Sequence, residues 1–136
     1  MKVAILTAAG AVGAVVAGLL GGWDAGIQSL CLFMLVDYLT GLIVAGVFLS
    51  SPKTSRGALE SRTAWLGLLR KGASLGVVMI ACRLDLMFAT NMIRDGTVIA
   101  YSLNELLSIV ENLGLMGVPL PRQVKRAIEV LKEQSE

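Results

Sequence analysis

The chain has 136 residues, 55% of them apolar before its 15 glycines are counted and only 16% charged, whereas soluble domains have about 45–50% apolar residues with glycine included and about 25% charged. Twelve basic against ten acidic residues leave a net charge of +2, too little for nucleic-acid binding by bulk charge. The absence of histidine removes the imidazole of a Ser-His triad, of a His-ligated metal site and of ordinary general-base chemistry near neutral pH.

With a mean hydropathy of +0.74, the composition is that of an all-α integral membrane protein, not an enzyme, with no metal, cofactor or nucleic-acid partner implied. Cys31 and Cys82 stand alone in separate apolar runs, which fits buried thiols better than a disulfide framework or a metal site.

Residues 3–22 carry no charge, and at 1.5 Å per residue they make a helix of about 30 Å, the depth of a bilayer's hydrocarbon core. Gly10, Ala14, Gly18 and Gly22 fall four apart, and Ala9, Gly13, Ala17 and Gly21 repeat the pattern one position earlier. Two neighbouring ridges almost free of side chain let helices approach closely, a main source of association in lipid. Gly41 and Ala45 give the next span a shorter version. The same opening also reads as a signal peptide behind Lys2, with a poor cleavage site at Val15-Val16-Ala17. A dinucleotide-binding turn ending near Asp37 fits less well. Ala8 stands where its first glycine belongs, and the apolar run from Ala25 to Ser50 is longer than an ordinary strand.

Residues 25–49 form a second span with Asp37 as the only charge, and residues 50–63 (SSPKTSRGALESRT) read as an exposed loop. A third segment, 64–84, is interrupted by Arg70-Lys71. Its charge-free part, Gly72 to Cys82, has 11 residues, too few to cross unless the two bases snorkel or face a polar interior. A re-entrant or in-plane helix competes with a span there. Arg83, Asp85, Arg94 and Asp95 bracket a polar connection, and residues 97–115 carry a fourth helical pattern that Gly114, Gly117, Pro119 and Pro121 end. Val124, Ile128 and Leu131 then recur at i, i+4 and i+7 among Arg122, Lys125, Arg126 and Lys132, an amphipathic helix suited to a membrane surface or a partner. The expected organisation is three to four transmembrane helices within residues 1–121 and an amphipathic tail over 122–136. With four spans, ten of the twelve basic residues fall on one side, only Arg83 and Arg94 lying opposite; the positive-inside rule then places both termini in the cytoplasm. A three-span arrangement moves only Lys2.

The fourth helix is amphipathic in an unusual way. Tyr101, Asn104, Glu105, Ser108, Glu111 and Asn112 share one face, at offsets 0, 3, 4, 7, 10 and 11, while leucine, isoleucine and valine cover the others. A carboxylate at membrane depth costs about 2.5–3.5 kcal/mol on insertion scales, so Glu105, Glu111 and Asp37 should face protein, water or a basic partner. Arg70 and Lys71 are the candidate partners. An interfacial helix is the alternative reading of this segment.

The stretch SLNELLSIVENLGLMGVPLP, residues 102–121, resembles the signature of the phage-lysis and toxin-secretion holin family: Asn-Glu-x-x-Ser-x-x-Glu-Asn followed by Gly-x-Pro-x-Pro. Those positions are Asn104, Glu105, Ser108, Glu111, Asn112, Gly117, Pro119 and Pro121. Asp37-Tyr38-Leu39-Thr40-Gly41-Leu42 is similar to the family's Asp and Thr-Gly element, Arg70-Lys71 to its basic pair, and Arg83-x-Asp85 to the polar end of the following helix. The resemblance covers residues 30–125. The chain departs from it in a longer, more polar loop at 50–64 and in an opening span rich in small residues, which bears on the number of spans. The resemblance implies a phage- or prophage-encoded protein of the bacterial cytoplasmic membrane that forms homo-oligomers and, past a threshold, lesions through which an endolysin or a toxin escapes. A small ion channel or proton-coupled transporter would use the same acids, and a membrane anchor subunit would need a partner for the C-terminal helix.

Overall fold

The computed structural model describes residues 1–135. They form five helices: α1 (Lys2–Leu19), α2 (Ala25–Gly46), α3 (Ser61–Phe88), α4 (Met92–Leu115) and α5 (Arg122–Ser135), with no strand among the described residues. Three of them, α1, α2 and α3, are long and apolar enough to cross a membrane. α4 has comparable length but carries Arg94, Asp95, Glu105 and Glu111.

The helix ends follow from local chemistry. Asp24 is extended and its carboxylate accepts from the Ile27 N–H at 3.0 Å, capping α2. α1 stops in a left-handed turn at Gly21 (φ 87°) and Gly22 (φ 108°). There the Gly22 N–H reaches the Ala17 carbonyl at 2.8 Å and the Gly21 N–H the Gly18 carbonyl at 3.1 Å. The ridges expected to run through residues 9–22 therefore end at Gly18, because Gly21 and Gly22 supply the turn. α4 stops in the same manner at Gly117 (φ 76°), with the Val118 N–H bonded to the Leu113 carbonyl at 2.9 Å. α3 ends on Ala89 at φ 54°, with the Thr90 N–H bonded to the Asp85 carbonyl at 2.9 Å.

α3 covers the expected third segment, 64–84, and extends it at both ends to one helix of 28 residues, about 42 Å long at the α-helical rise. Arg70 and Lys71 both lie within it. The polar connection expected between residues 83 and 96 shrinks to three residues, 89–91, since Arg83, Asp85, Arg94 and Asp95 all lie within helices.

α4 is the central element, packed along α2 and α3, with α5 folded onto it. Leu20, Ile27, Leu30, Met34, Val78 and Val98 make the core, and Cys31, Leu75, Met79 and Tyr101 pack against it. The outward faces of α2 and α3 are apolar: Leu32, Leu35 and Leu39 on one, Leu69, Val77 and Ile80 on the other are exposed. This is the surface of a bundle that meets lipid. α1 stands off the bundle, with no buried residue and nothing within 4 Å of where a Cβ would sit on Gly10, Gly13 or Gly18.

Ala89 occupies a left-handed position for which an L side chain costs about 1 kcal/mol and glycine does not. Ala89→Gly is expected to raise the thermal midpoint of the detergent-solubilised protein, and Ala89→Val to lower it, when unfolding is followed by circular dichroism.

Candidate functional site

Asp37 lies midway along α2, Lys71 in the third turn of α3 and Glu105 midway along α4, and the three meet inside the bundle. The Lys71 ammonium donates to Asp37 Oδ2 at 2.7 Å and to Glu105 Oε2 at 2.6 Å. Their side chains are only 15%, 6% and 10% exposed, respectively. Asn112, two turns beyond Glu105 on the same face of α4, extends the network. Its Nδ2 donates to Asp37 Oδ1 at 3.0 Å, to the Asp37 carbonyl at 3.2 Å and to Thr40 Oγ1 at 2.9 Å. Thr40 passes its own proton to the Val36 carbonyl at 2.8 Å. Gly41 lies beside Asn112, where an added Cβ would stand 3.8 Å from its Nδ2. The Tyr38 hydroxyl donates to the Ala64 carbonyl at 3.2 Å and ties α2 to α3 a second time.

The remaining residues of the sequence-derived set divide in three. Asn104 and Ser108 line a cleft of about 520 Å³ that reaches from this network to the loop over residues 51–60. Arg70 faces the same cleft and forms no ion pair among the described residues, so Lys71 alone supplies the base of the network. Tyr101 packs against the apolar core instead. Glu111 is exposed on the outer side of α4. Pro119 and Pro121 follow the turn that ends α4 and are exposed. Among the described residues, no group of three or more acids and cysteines is placed to hold a metal ion.

A second polar cluster, absent from the sequence-derived set, lies about 21 Å further along α3. Buried Arg94 donates through Nε to the Leu20 carbonyl at 2.9 Å and grips Asp24 with both terminal nitrogens, at 2.5 and 3.0 Å. That grip holds the Asp24 carboxyl below its usual range, aided by the Ile27 N–H. Asp85 completes the cluster as a cap lent to α4 by α3. It accepts from the Ile93 N–H at 3.0 Å, the Arg94 N–H at 2.8 Å and the Thr90 hydroxyl at 2.7 Å. Gly21 passes so close that a Cβ there would stand 2.9 Å from Arg94 Nε. The sequence marked Asp85 and Arg94 only as residues bracketing a polar connection; the pairing of Arg94 with Asp24 spans 70 residues and leaves no periodicity to read.

With both carboxylates ionised, the inner network carries one excess negative charge, held by a single ammonium. Lys71→Met leaves two buried carboxylates facing each other without a counter-charge, and breaking such a pair costs about 3–5 kcal/mol. The variant is expected to lose most of its cooperative melting transition in detergent, and adding Asp37→Asn with Glu105→Gln is expected to restore it.

The model of the bacteriophage holin family matches residues 14–133. An uncharacterised protein of Halalkalibacterium halodurans is 34% identical, over 97% of this chain and 96% of its own length. One from Listeria innocua is 35% identical over 90% and 83%. A probable holin of Bacillus phage phi105 is 34% identical over 75% of this chain and 70% of its own length. No solved structure matches the chain.

Proposed function

The chain belongs to the bacteriophage holin family, and we propose that it acts as a holin of the bacterial cytoplasmic membrane, assembling into lesions that release an endolysin or a toxin. In this reading residues 1–121 are the membrane domain, both termini are cytoplasmic, and α5 rests its apolar side on the bundle with its lysines and arginines toward anionic headgroups. The protein does no chemistry; its work is physical.

The observation that carries the reading is the outer side of α4. Glu111 is exposed there, next to Leu107 and Leu115, which are 41% and 38% exposed. A carboxylate on a helix at membrane depth is costly against lipid and inexpensive against water or a second polar face. A single copy hides Asp37, Lys71, Glu105 and Asn112 but not Glu111. Accumulating copies relieve that cost by turning the outer sides of α4 toward one another or toward a shared aqueous opening. The uncovered ridges of α1 at Gly10, Gly13, Ala14, Ala17 and Gly18 let membrane helices of neighbouring copies approach closely. Dilute protein is tolerated and crowded protein opens, so the transition is collective.

Inducible expression in a bacterial host, with and without an endolysin lacking its own export signal, tests this directly. Abrupt depolarisation followed by endolysin-dependent lysis is the expected result. Graded, ion-selective leakage would instead mark a channel, and harmless accumulation an anchor subunit. Glu111→Leu is expected to delay or abolish the abrupt event while leaving the membrane level of the protein unchanged, read from culture density and membrane-fraction immunoblots. Gly18→Ile is expected to deplete crosslinked oligomers, and an unaltered crosslinking ladder would remove the ridges from the mechanism.

A further inference from the structure

The cleft beside the Lys71 network has an outer half that the network leaves unused. The loop between α2 and α3 folds back to wall it. The Ser51 N–H bonds to the Gly57 carbonyl at 3.0 Å, and Gly57, at φ +72°, lies so close to the Leu49 carbonyl that no Cβ fits. This fixed loop presents Lys53 and Thr54 to the cleft, opposite Arg70 on α3.

The ionisable groups of the cleft are Asp37, Lys53, Glu60, Arg70, Lys71 and Glu105. Asp37, Lys71 and Glu105 satisfy one another, and Glu60 accepts from the Thr63 hydroxyl at 3.4 Å and the Ser55 hydroxyl at 3.5 Å. Lys53 and Arg70 form no ion pair among the described residues. Two cations without an ion pair thus line a space whose remaining walls include Leu42, Leu59 and Leu66.

A guanidinium fork and an ammonium suit a phosphate oxygen cluster, and the leucines suit hydrocarbon. A free phosphate would have no use for the apolar walls. The site lies at the ends of α2 and α3 nearest Lys53, Arg56 and Arg62, the side that the basic-residue bias makes cytoplasmic. Basic pockets between spans on that side take anionic lipid headgroups. The geometry points to a binding site for one anionic phospholipid, its phosphate held by Lys53 and Arg70 and its chains leaving past Leu42 and Leu66. The site is independent of lesion formation and would serve equally in a chain that only anchors.

Native mass spectrometry of the full chain, released from a neutral detergent and offered phosphatidylglycerol or phosphatidylcholine, tests the site without reference to lysis. Retention of one phosphatidylglycerol and no phosphatidylcholine is expected. Lys53→Gln and Arg70→Gln each remove one charge near the headgroup and should weaken retention about fivefold. Thr54→Val, whose hydroxyl is enclosed by the loop, and Arg62→Gln, outside the cleft, should leave it unchanged. Circular dichroism of these exposed-site variants checks that the helices persist. Equal retention of the two lipids, full retention by a Lys53→Gln/Arg70→Gln double variant, or displacement of the lipid by equimolar inorganic phosphate would overturn the assignment.

Discussion

The ammonium of Lys71, shared between Asp37 and Glu105, is the contact on which the arrangement of three helices depends. Between apolar helices in lipid there is little hydrophobic drive to associate, so packing and polar contacts must set which faces meet. One lysine on α3 that must satisfy acids on both α2 and α4 allows a single rotation for each helix. Asn112 then fixes the axial register, because its amide reaches the Asp37 carboxylate, the Asp37 carbonyl and Thr40 together. A slide of one residue along α4 is about 1.5 Å, enough to break all three bonds. Buried polar groups of this kind contribute specificity more than net stability.

The Arg94 cluster performs the complementary task at the other end. Leu20 is buried at 3% exposure while none of the residues of α1 before it is buried. The chain is therefore pinned where α1 ends, by Arg94 on the Leu20 carbonyl and on Asp24, and is uncommitted along the rest of that helix. Gly21 has no side chain because Arg94 and Cys82 fill the place where one would sit. An anchored end and a bare shaft leave this helix free to pack outside the monomer, as the proposed assembly requires.

Much of this was legible in the sequence, and the limits are instructive. Hydropathy and length located α1, α2 and α3 because membrane-length apolar runs are long compared with any error at their ends, and the spacing of apolar residues located α4 and α5. The polar stripe on α4 and the isolated Asp37 pointed to an internal network because each is expensive against lipid. Periodicity says that residues share a face, not how wide that face is. The stripe therefore gathered Glu105 and Asn112, which turn to α2, together with Glu111, which turns away, and Tyr101, which joins the apolar core. Adjacent residues Arg70 and Lys71 point about 100° apart on a helix, so only one could enter the network, and no one-dimensional pattern says which. The glycines were ambiguous for a related reason: close packing and left-handed turns both require the absence of a Cβ, and Gly21 and Gly22 serve the second purpose. The pairing of Arg94 with Asp24 was not legible because a contact across 70 residues has no local trace.

These features combine in α4, which has an unusual distribution of polarity for a helix of its position. Its inner side is polar only where partners are supplied, at Arg94, Glu105 and Asn112, and is otherwise valine, leucine and isoleucine: Val98, Leu103 and Ile109 are buried. Its outer side keeps Glu111 exposed without a partner of its own. A helix designed only to stabilise the monomer would place leucine at that position, which insertion costs favour by several kcal/mol at the bilayer centre. Retaining a polar group there lowers the stability of the isolated copy in lipid and lowers, by the same interaction, the cost of water or another polar face beside it. The inner network supplies the rigidity that allows the outer face to remain unsatisfied without the bundle itself giving way.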